Sequence, residues 1–192
     1  VSRFAYNLRS RSGDEQSVKP GAEKERKEDL WFDPLIEPYV MDEQVELTPG
    51  LLWCGELNVI PTAQFPLTGF DGYGRGDSII VPHVKMQMRS VPTMKDADPI
   101  FLYTTGTVTM RNYIERAAGQ KASLHHVYGA LVAEVDPATG EWWVRQLNAD
   151  RNGVIFDRDQ VYYPDGRVEA YIDDPASEFF FSAGCSKTAI TH

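Results

Sequence analysis

The chain has 192 residues, of which 42% are hydrophobic and 11% aromatic, so it is long and apolar enough to bury the core of one domain. Its net charge of −9 does not suggest, by bulk charge, a strong nucleic-acid or membrane-surface binder. No apolar run of about 18 residues predicts a membrane span, and no signal peptide opens the chain. Cys54 and Cys185 lack C-x-x-C spacing, which excludes a zinc ribbon and favours a reducing compartment.

Charge is unevenly distributed along the chain. Residues 1–50 carry seven basic and eleven acidic side chains, whereas residues 80–151 carry eight basic and seven acidic ones. Three of the four histidines, His83, His125 and His126, also lie in this second range. The middle of the chain therefore permits an anionic partner without requiring one.

The first half of the chain predicts little regular structure. Residues 1–30 predict the remnant of a strand and a charged linker, and a start at Val1 rather than Met indicates a processed product or a fragment. Residues 31–40 predict a short helix with Asp33 as N-cap and Pro34 in its first turn. After a strand at 51–57, the four glycines of residues 61–77 predict a mobile surface loop.

From Ser78 onward the pattern is mostly that of β-strands. A helix is predicted at residues 112–118, stopped by Gly119. Strands at 127–136 and 141–147 flank a Pro-Ala-Thr-Gly turn and predict a hairpin. The expected fold is a single β-rich α+β domain over residues 31–172, with a central antiparallel sheet, one or two short helices, and an irregular tail at 173–192.

Hairpin register sets which polar residues can meet. If Asp136 pairs with Glu141, Glu134 lies opposite Trp143 and Arg145 is its diagonal neighbour, which predicts a cross-strand ion pair. His126 and Glu134 are then eight residues apart on one strand, roughly 26 Å. An extended chain keeps these two residues out of one active centre.

The polar residues between Thr104 and Asp150 are the candidates for chemistry, because polar groups within apolar strands need a partner or a role. An imidazole can be a general base, a metal ligand or a structural donor, and a carboxylate can assist it. The candidate catalytic residues are His125, His126, Glu134 and Asp150. A histidine pair, His83 with His126 or with His125, plus a carboxylate would form a metal site. A divalent metal, Mg²⁺ or Mn²⁺, is the expected cofactor type if the chain is an enzyme.

Hydroxyls, amides and cations are the candidates for holding a phosphate-bearing substrate. Each also has a purely structural interpretation as a turn former, a cap or a surface charge. The candidate substrate-binding residues are Thr104, Thr105, Arg111, Asn112, Arg145 and Asn148.

Several stretches resemble, together, a known family: Pro61-Thr62-Ala63 with residues 66–70, residues 104–109 with Asn112-Tyr113, and the stretches 118–121, 125–130 and 145–149. Over roughly residues 31–171 they are similar to a family of poorly characterised tailed-bacteriophage proteins. In longer members a region like this lies upstream of a calcineurin-like metallophosphoesterase domain. The chain lacks that domain's D-x-H and G-D-x-x-D motifs, so its activity is not carried over.

The resemblance implies a phage origin and a link to phage DNA metabolism or host takeover. It points, without assigning roles, to ten residues: Thr104, Thr105, Gly106, Asn112, His125, His126, Tyr128, Arg145, Gln146 and Asn148.

Two functions compete. The first is a nucleic-acid-processing phage domain, a metal-assisted nuclease in its most specific form. The second is a non-catalytic virion component or protein-interaction module that binds phage or host proteins and forms an oligomer or complex. Either would be found in the host cytoplasm or the virion.

Overall fold

A computed structural model describes residues 35–170 with the exception of Asn112 and Ile114. The predicted linker at 1–30, the N-cap Asp33 with Pro34, and the tail at 173–192 lie outside the described residues. The chain divides after Ala149 into two units. The domain limits predicted from the sequence stay predictions.

The first unit contains seven strands and one α-helix among the residues described, and a 3-10 helix, Glu37–Tyr39, precedes them. Its elements are β1 Gln44–Thr48, β2 Leu51–Cys54, β3 Ser78–Val81, β4 Met88–Val91, β5 Ile100–Thr104, α1 Ala117–His125, β6 Gly129–Val135 and β7 Trp142–Asn148. The second unit forms an antiparallel three-stranded sheet of β8 Ile155–Asp157, β9 Gln160–Tyr162 and β10 Val168–Ala170.

The central sheet is mixed. Its order is β1-β2-β3-β5-β4, with β2, β3 and β5 parallel and the two edge strands antiparallel. The β-rich α+β class is confirmed, but the predicted antiparallel arrangement is wrong for the three central strands. Long connections join them, at residues 55–77 and 82–99, and only long crossovers can bring strands back in parallel.

Both faces of this sheet are buried. Alternate residues of β3 and β5 point to opposite sides, so Ile79 and Leu102 belong to one core while Ile80 and Tyr103 belong to the other. A sheet with parallel central strands needs a cover on each face. The first face is covered from the 55–77 connection and the second by the β6–β7 hairpin.

The 61–77 segment differs from the surface loop predicted for it. Leu67 is fully buried against the first face, and Pro61 and Pro66 are fully buried too. Gly69 and Gly76 do adopt the positive φ angles expected of them, 88° and 113°. The glycines therefore let the segment turn while its apolar side chains form the cover.

The β6–β7 hairpin has the predicted register, with Glu134 opposite Trp143 and the Asp136 N–H donating to the Glu141 carbonyl. Trp142 packs on the second core, whereas Trp143 is exposed. The helix prediction was wrong in its bounds: α1 begins at Ala117 and runs through Gly119, which is buried in it. A glycine on the buried side of a helix permits close packing because it has no side chain. Such a glycine need not end the helix.

Candidate functional site

A hydrogen-bonded row of three groups joins His126, which lies between α1 and β6, to Tyr113 and Thr109, which precede α1. His126 caps α1 and is only 3% exposed. Its Nδ1 lies 2.9 Å from the Tyr113 hydroxyl, and its Nε2 lies 2.9 Å from the Thr109 carbonyl oxygen. We call these three residues, with Arg111 and Tyr128, the His126 site.

The partners of His126 fix its tautomer. A carbonyl oxygen only accepts, so Nε2 carries the proton and donates to Thr109. Nδ1 is then the acceptor of the neutral ring, and the Tyr113 hydroxyl donates to it. Burial lowers the pKa of His126, and nearby Arg111 lowers it further, although the Thr109 bond opposes them. The ring is therefore neutral near pH 7.

Aromatic rings and a cation enclose this row. The ring of Tyr113 meets that of His126 edge-on at 5.6 Å, and the ring of Tyr128 does so at 4.9 Å. The Arg111 guanidinium donates to the His126 carbonyl at 3.0 Å and lies 5.3 Å from the centre of the Tyr128 ring. Tyr128 is 41% exposed, Arg111 is exposed and Tyr113 is half-buried, so the buried imidazole lies beside side chains that reach solvent.

The electrostatics of Tyr113 follow from its position. Burial raises the pKa of its phenol, and Arg111 opposes that rise. The hydroxyl is therefore protonated at neutral pH and available as a hydrogen-bond donor. A hydroxyl bonded to the acceptor nitrogen of a neutral imidazole, whose other nitrogen is held by an acceptor, is the arrangement that activates hydroxyl nucleophiles in enzymes.

The other two histidines of this unit hold one connecting segment. The His83 Nε2 donates to the Ile60 carbonyl at 3.1 Å, and the His125 Nδ1 donates to the Pro61 carbonyl at 3.0 Å. Lys85 donates to the Gln64 carbonyl. We call these three side chains the 60–64 fastener. Adjacent in sequence, His125 and His126 thus face different partners.

A metal site on His83 and His126 finds no support in this geometry. The Nδ1 of His83 accepts the Lys85 N–H at 3.0 Å and its Nε2 bonds Ile60, while both nitrogens of His126 are engaged as described above. Neither ring offers a lone pair to a cation, and Mg²⁺ in any case prefers oxygen ligands. Within residues 35–170, less the two undescribed positions, no group of three or more His, Cys, Asp or Glu side chains could hold a metal ion.

The predicted hydroxyl pair faces inward. Thr104 is fully buried, and its hydroxyl donates to the Lys85 carbonyl at 2.7 Å. The Thr105 hydroxyl accepts the His83 N–H and donates to the Gly106 carbonyl. Gln146, to which the resemblance pointed without a role, donates to the Thr104 carbonyl at 2.7 Å and so ties β7 to β5. In this conformation these groups serve the fold.

Glu134, Arg145 and Asn148 lie on the β6–β7 hairpin, where Asn148 pairs with Gly129, the residue after Tyr128. Glu134 and Arg145 form the predicted ion pair, at 2.9 Å. Asn148 ends β7 and is exposed. Asp150 begins the second unit, where its carboxylate accepts the N–H groups of Asn152 and Val154 and caps a turn. These backbone bonds lower the pKa of Asp150.

Of the predicted site residues, the structure brings His126 and Arg111 together. Asn112 lies outside the described residues. Tyr113 and the Thr109 carbonyl were missed as partners. The density of polar residues around Arg111 was visible in the sequence, but a contact between residues 13 apart on either side of α1 has no periodic signal.

Comparison with known proteins gives an origin. The chain is similar to Protein A1 of Escherichia phage T5. The two are 34% identical over 174 residues, which is 88% of this chain and 29% of the relative. The similarity supports a phage protein, as the sequence predicted. This chain spans less than a third of that relative's length.

Beyond that relative, the comparisons are silent on activity. No family model matches the chain, and no solved structure matches it. The name of the phage T5 protein states no activity, so the link to a metallophosphoesterase domain stays a prediction. No helix in the described part of the chain is long and apolar enough to cross a membrane.

Proposed function

We propose that this chain is part of a larger phage protein, and that it binds nucleic acid and cleaves phosphodiester bonds at the His126 site. The observation that supports the proposal is the row from Tyr113 through His126 to Thr109 beside the Arg111 guanidinium. It combines a general base with a cation, two groups that can accelerate cleavage of the nucleic-acid backbone. Cleavage of this kind would serve phage DNA metabolism or host takeover.

Each member of the site has a part in this proposal. Arg111 would hold a phosphate, because its guanidinium carries a permanent positive charge. The exposed Tyr128 ring offers a stacking surface for a base, which suits a single-stranded substrate. His126 would take a proton in the transition state, and Thr109 would keep its ring in the required tautomer. Glu134 and Arg145 have no part, because they form an ion pair with each other.

Local charge makes nucleic-acid binding compatible with an acidic chain. Binding to phosphates depends on cations near the contact, and it weakens steeply as salt rises. Arg111 and Arg116 precede α1 and Lys121 lies within it, and all three are exposed. The net charge of −9 should nevertheless limit the affinity.

The test is a cleavage and binding assay on the 192-residue chain. Labelled single- and double-stranded DNA and RNA are incubated at low salt, each with Mg²⁺, with Mn²⁺ and with a chelator. Arg111→Gln should lower cleavage by roughly 10²-fold. Arg145→Gln removes the same charge from the hairpin and should leave cleavage within a few-fold of wild type.

Three outcomes separate the alternatives. Loss of cleavage in Arg111→Gln alone supports the His126 site. Loss in Arg145→Gln alone moves the phosphate contact to the hairpin and contradicts the site. No cleavage and no binding of any of the four substrates contradicts the proposed function.

A second candidate is a protein-interaction module. Ile60, Phe65 and Leu124 are apolar and exposed, and the fastener brings the segment bearing the first two to the end of α1. Exposed apolar side chains that lie close together are typical of partner surfaces. This candidate predicts that substitution of Ile60 and Phe65 by Ser abolishes binding to a phage or host protein, or oligomerisation, while Arg111→Gln has no effect.

A further inference from the structure

We infer that Tyr113 is itself the attacking nucleophile, and that cleavage passes through a covalent phosphotyrosyl intermediate with the nucleic acid. This inference rests on the proposed function and deepens it. A general base alone is compatible with attack by water or by a side chain. The geometry of the His126 site distinguishes the two.

The acceptor nitrogen of His126 is already committed. A neutral imidazole has one acceptor nitrogen, and in His126 it is Nδ1. That atom lies 2.9 Å from the Tyr113 hydroxyl. The ring is 3% exposed, so a water molecule has little access to it. The proton within reach of the base is therefore that of Tyr113.

The surroundings hold the phenol ready for attack. The His126 ring is fixed by its bond to Thr109 and lies edge-on to the rings of Tyr113 and Tyr128. Such orientation reduces the entropy lost on reaching the transition state. Burial raises the pKa of Tyr113 and the charge of Arg111 opposes that rise, so His126 must take the proton during attack; the same charge would also stabilise the phosphate.

The step balances without a further reagent. The Tyr113 oxygen forms a bond to phosphorus as its proton passes to Nδ1 of His126. The bond from phosphorus to one bridging oxygen breaks, and that oxygen keeps the electron pair, takes the proton from the His126 imidazolium and leaves as an alcohol. The imidazole returns to its neutral form. Water then hydrolyses the phosphotyrosyl bond, which releases the second nucleic-acid end and restores the phenol.

The first arm of the test looks for the covalent adduct. Wild type, Tyr113→Phe and Tyr39→Phe, the last a control at an exposed tyrosine outside the site, are mixed with labelled single-stranded DNA, denatured at short times and examined by mass spectrometry. We expect a nucleotide adduct on Tyr113 in wild type and in Tyr39→Phe. Tyr113→Phe, which loses one hydroxyl, should neither form the adduct nor cut, and its melting curve should show that it is folded.

The second arm does not depend on nucleic acid. Diisopropyl fluorophosphate phosphorylates hydroxyl nucleophiles as its P–F bond breaks, and Tyr39 and Tyr128, both exposed, are internal references. We expect Tyr113 to be labelled faster than either, by roughly 10²-fold, and to lose that advantage in His126→Gln.

The two arms distinguish failure of the inference from failure of the proposed function. Cleavage without an adduct, retained in Tyr113→Phe, would overturn the nucleophile and leave the proposed function intact. Fast, His126-dependent labelling without cleavage of any nucleic acid would support the nucleophile and contradict the substrate. Labelling of Tyr113 no faster than that of the reference tyrosines would overturn the inference.

Discussion

The 60–64 fastener and the His126 site each contain a buried histidine, but the two histidines have different roles. In both, a neutral imidazole donates from one nitrogen to a backbone carbonyl. The difference lies at the other nitrogen, which in His83 accepts the Lys85 amide N–H and in His126 accepts the Tyr113 hydroxyl. An amide does not give up its proton under biological conditions, whereas a phenol with an ordinary pKa of about 10 can do so.

The contrast shows that burial does not tell a structural histidine from a reactive one. His83 is 2% exposed and His126 is 3% exposed, and burial lowers the pKa of both. The partner of the acceptor nitrogen is what separates them. We therefore expect changes at the fastener to alter stability, and changes at the His126 site to alter chemistry.

The largest stability effect should come from the segment that the fastener holds. Leu67→Ala removes a fully buried side chain from the first core and should lower the free energy of unfolding by about 2–5 kcal/mol. Urea unfolding measures it. The same substitution at Leu124, which is 85% exposed, should change stability by less than about 0.5 kcal/mol. Equal effects at the two positions would mean that residues 61–77 do not cover the first face of the sheet.

A smaller effect should come from His83→Gln. Loss of the buried bonds to Ile60 and Lys85 should lower the free energy of unfolding by about 1–3 kcal/mol at pH 8. The cause is an unsatisfied backbone group, so the circular dichroism spectrum of the folded state should stay unchanged. A variant as stable as wild type would show that the fastener contributes nothing.

The same variant tests pH dependence. Burial lowers the pKa of His83 below 6.5, with neighbouring His125 and Lys85 adding to the effect. The unfolded chain then binds a proton before the folded chain does, so stability is full above pH 6.5 and is lost as pH falls through the lowered pKa. The pKa of His126 is lowered too, so its contribution to stability is also lost as pH falls. Unfolding curves from pH 8 to pH 5 should show a shallower loss in His83→Gln than in wild type.

The smallest effect should come from the outer face of the hairpin. Glu134→Gln breaks a partly exposed ion pair with Arg145 and should change the free energy of unfolding by less than about 1 kcal/mol. Any cleavage activity should stay at the wild-type level. A large loss of cleavage in a folded Glu134→Gln protein would return this carboxylate to the catalytic candidates.

Local patterns predicted the fold where neighbours in sequence are neighbours in space. The β6–β7 register and the Glu134–Arg145 pair followed from one turn and the two-residue period of strands. The parallel centre of the sheet did not, because it depends on how connections of about 20 residues cross, which no local pattern records. The cover formed around Leu67 was missed for the same reason.

Part of the site could be predicted too. His126 and Arg111 were identified from residue type and position, but the sequence placed His126 on one strand with Glu134, whereas His126 follows the last residue of α1 as its C-cap. The role of Tyr113 depends on a contact over 13 residues. Residue type indicated which groups could react, and only the fold could show which of them meet.

The measurement that tests the central claim most directly compares the neighbouring histidines. His125→Gln and His126→Gln are assayed for nucleic-acid cleavage beside wild type, with melting curves to show that each is folded. We expect His126→Gln to lose roughly 10²- to 10⁴-fold in rate and His125→Gln to stay within a few-fold of wild type. Equal loss in both, or full activity in a folded His126→Gln protein, would contradict the account.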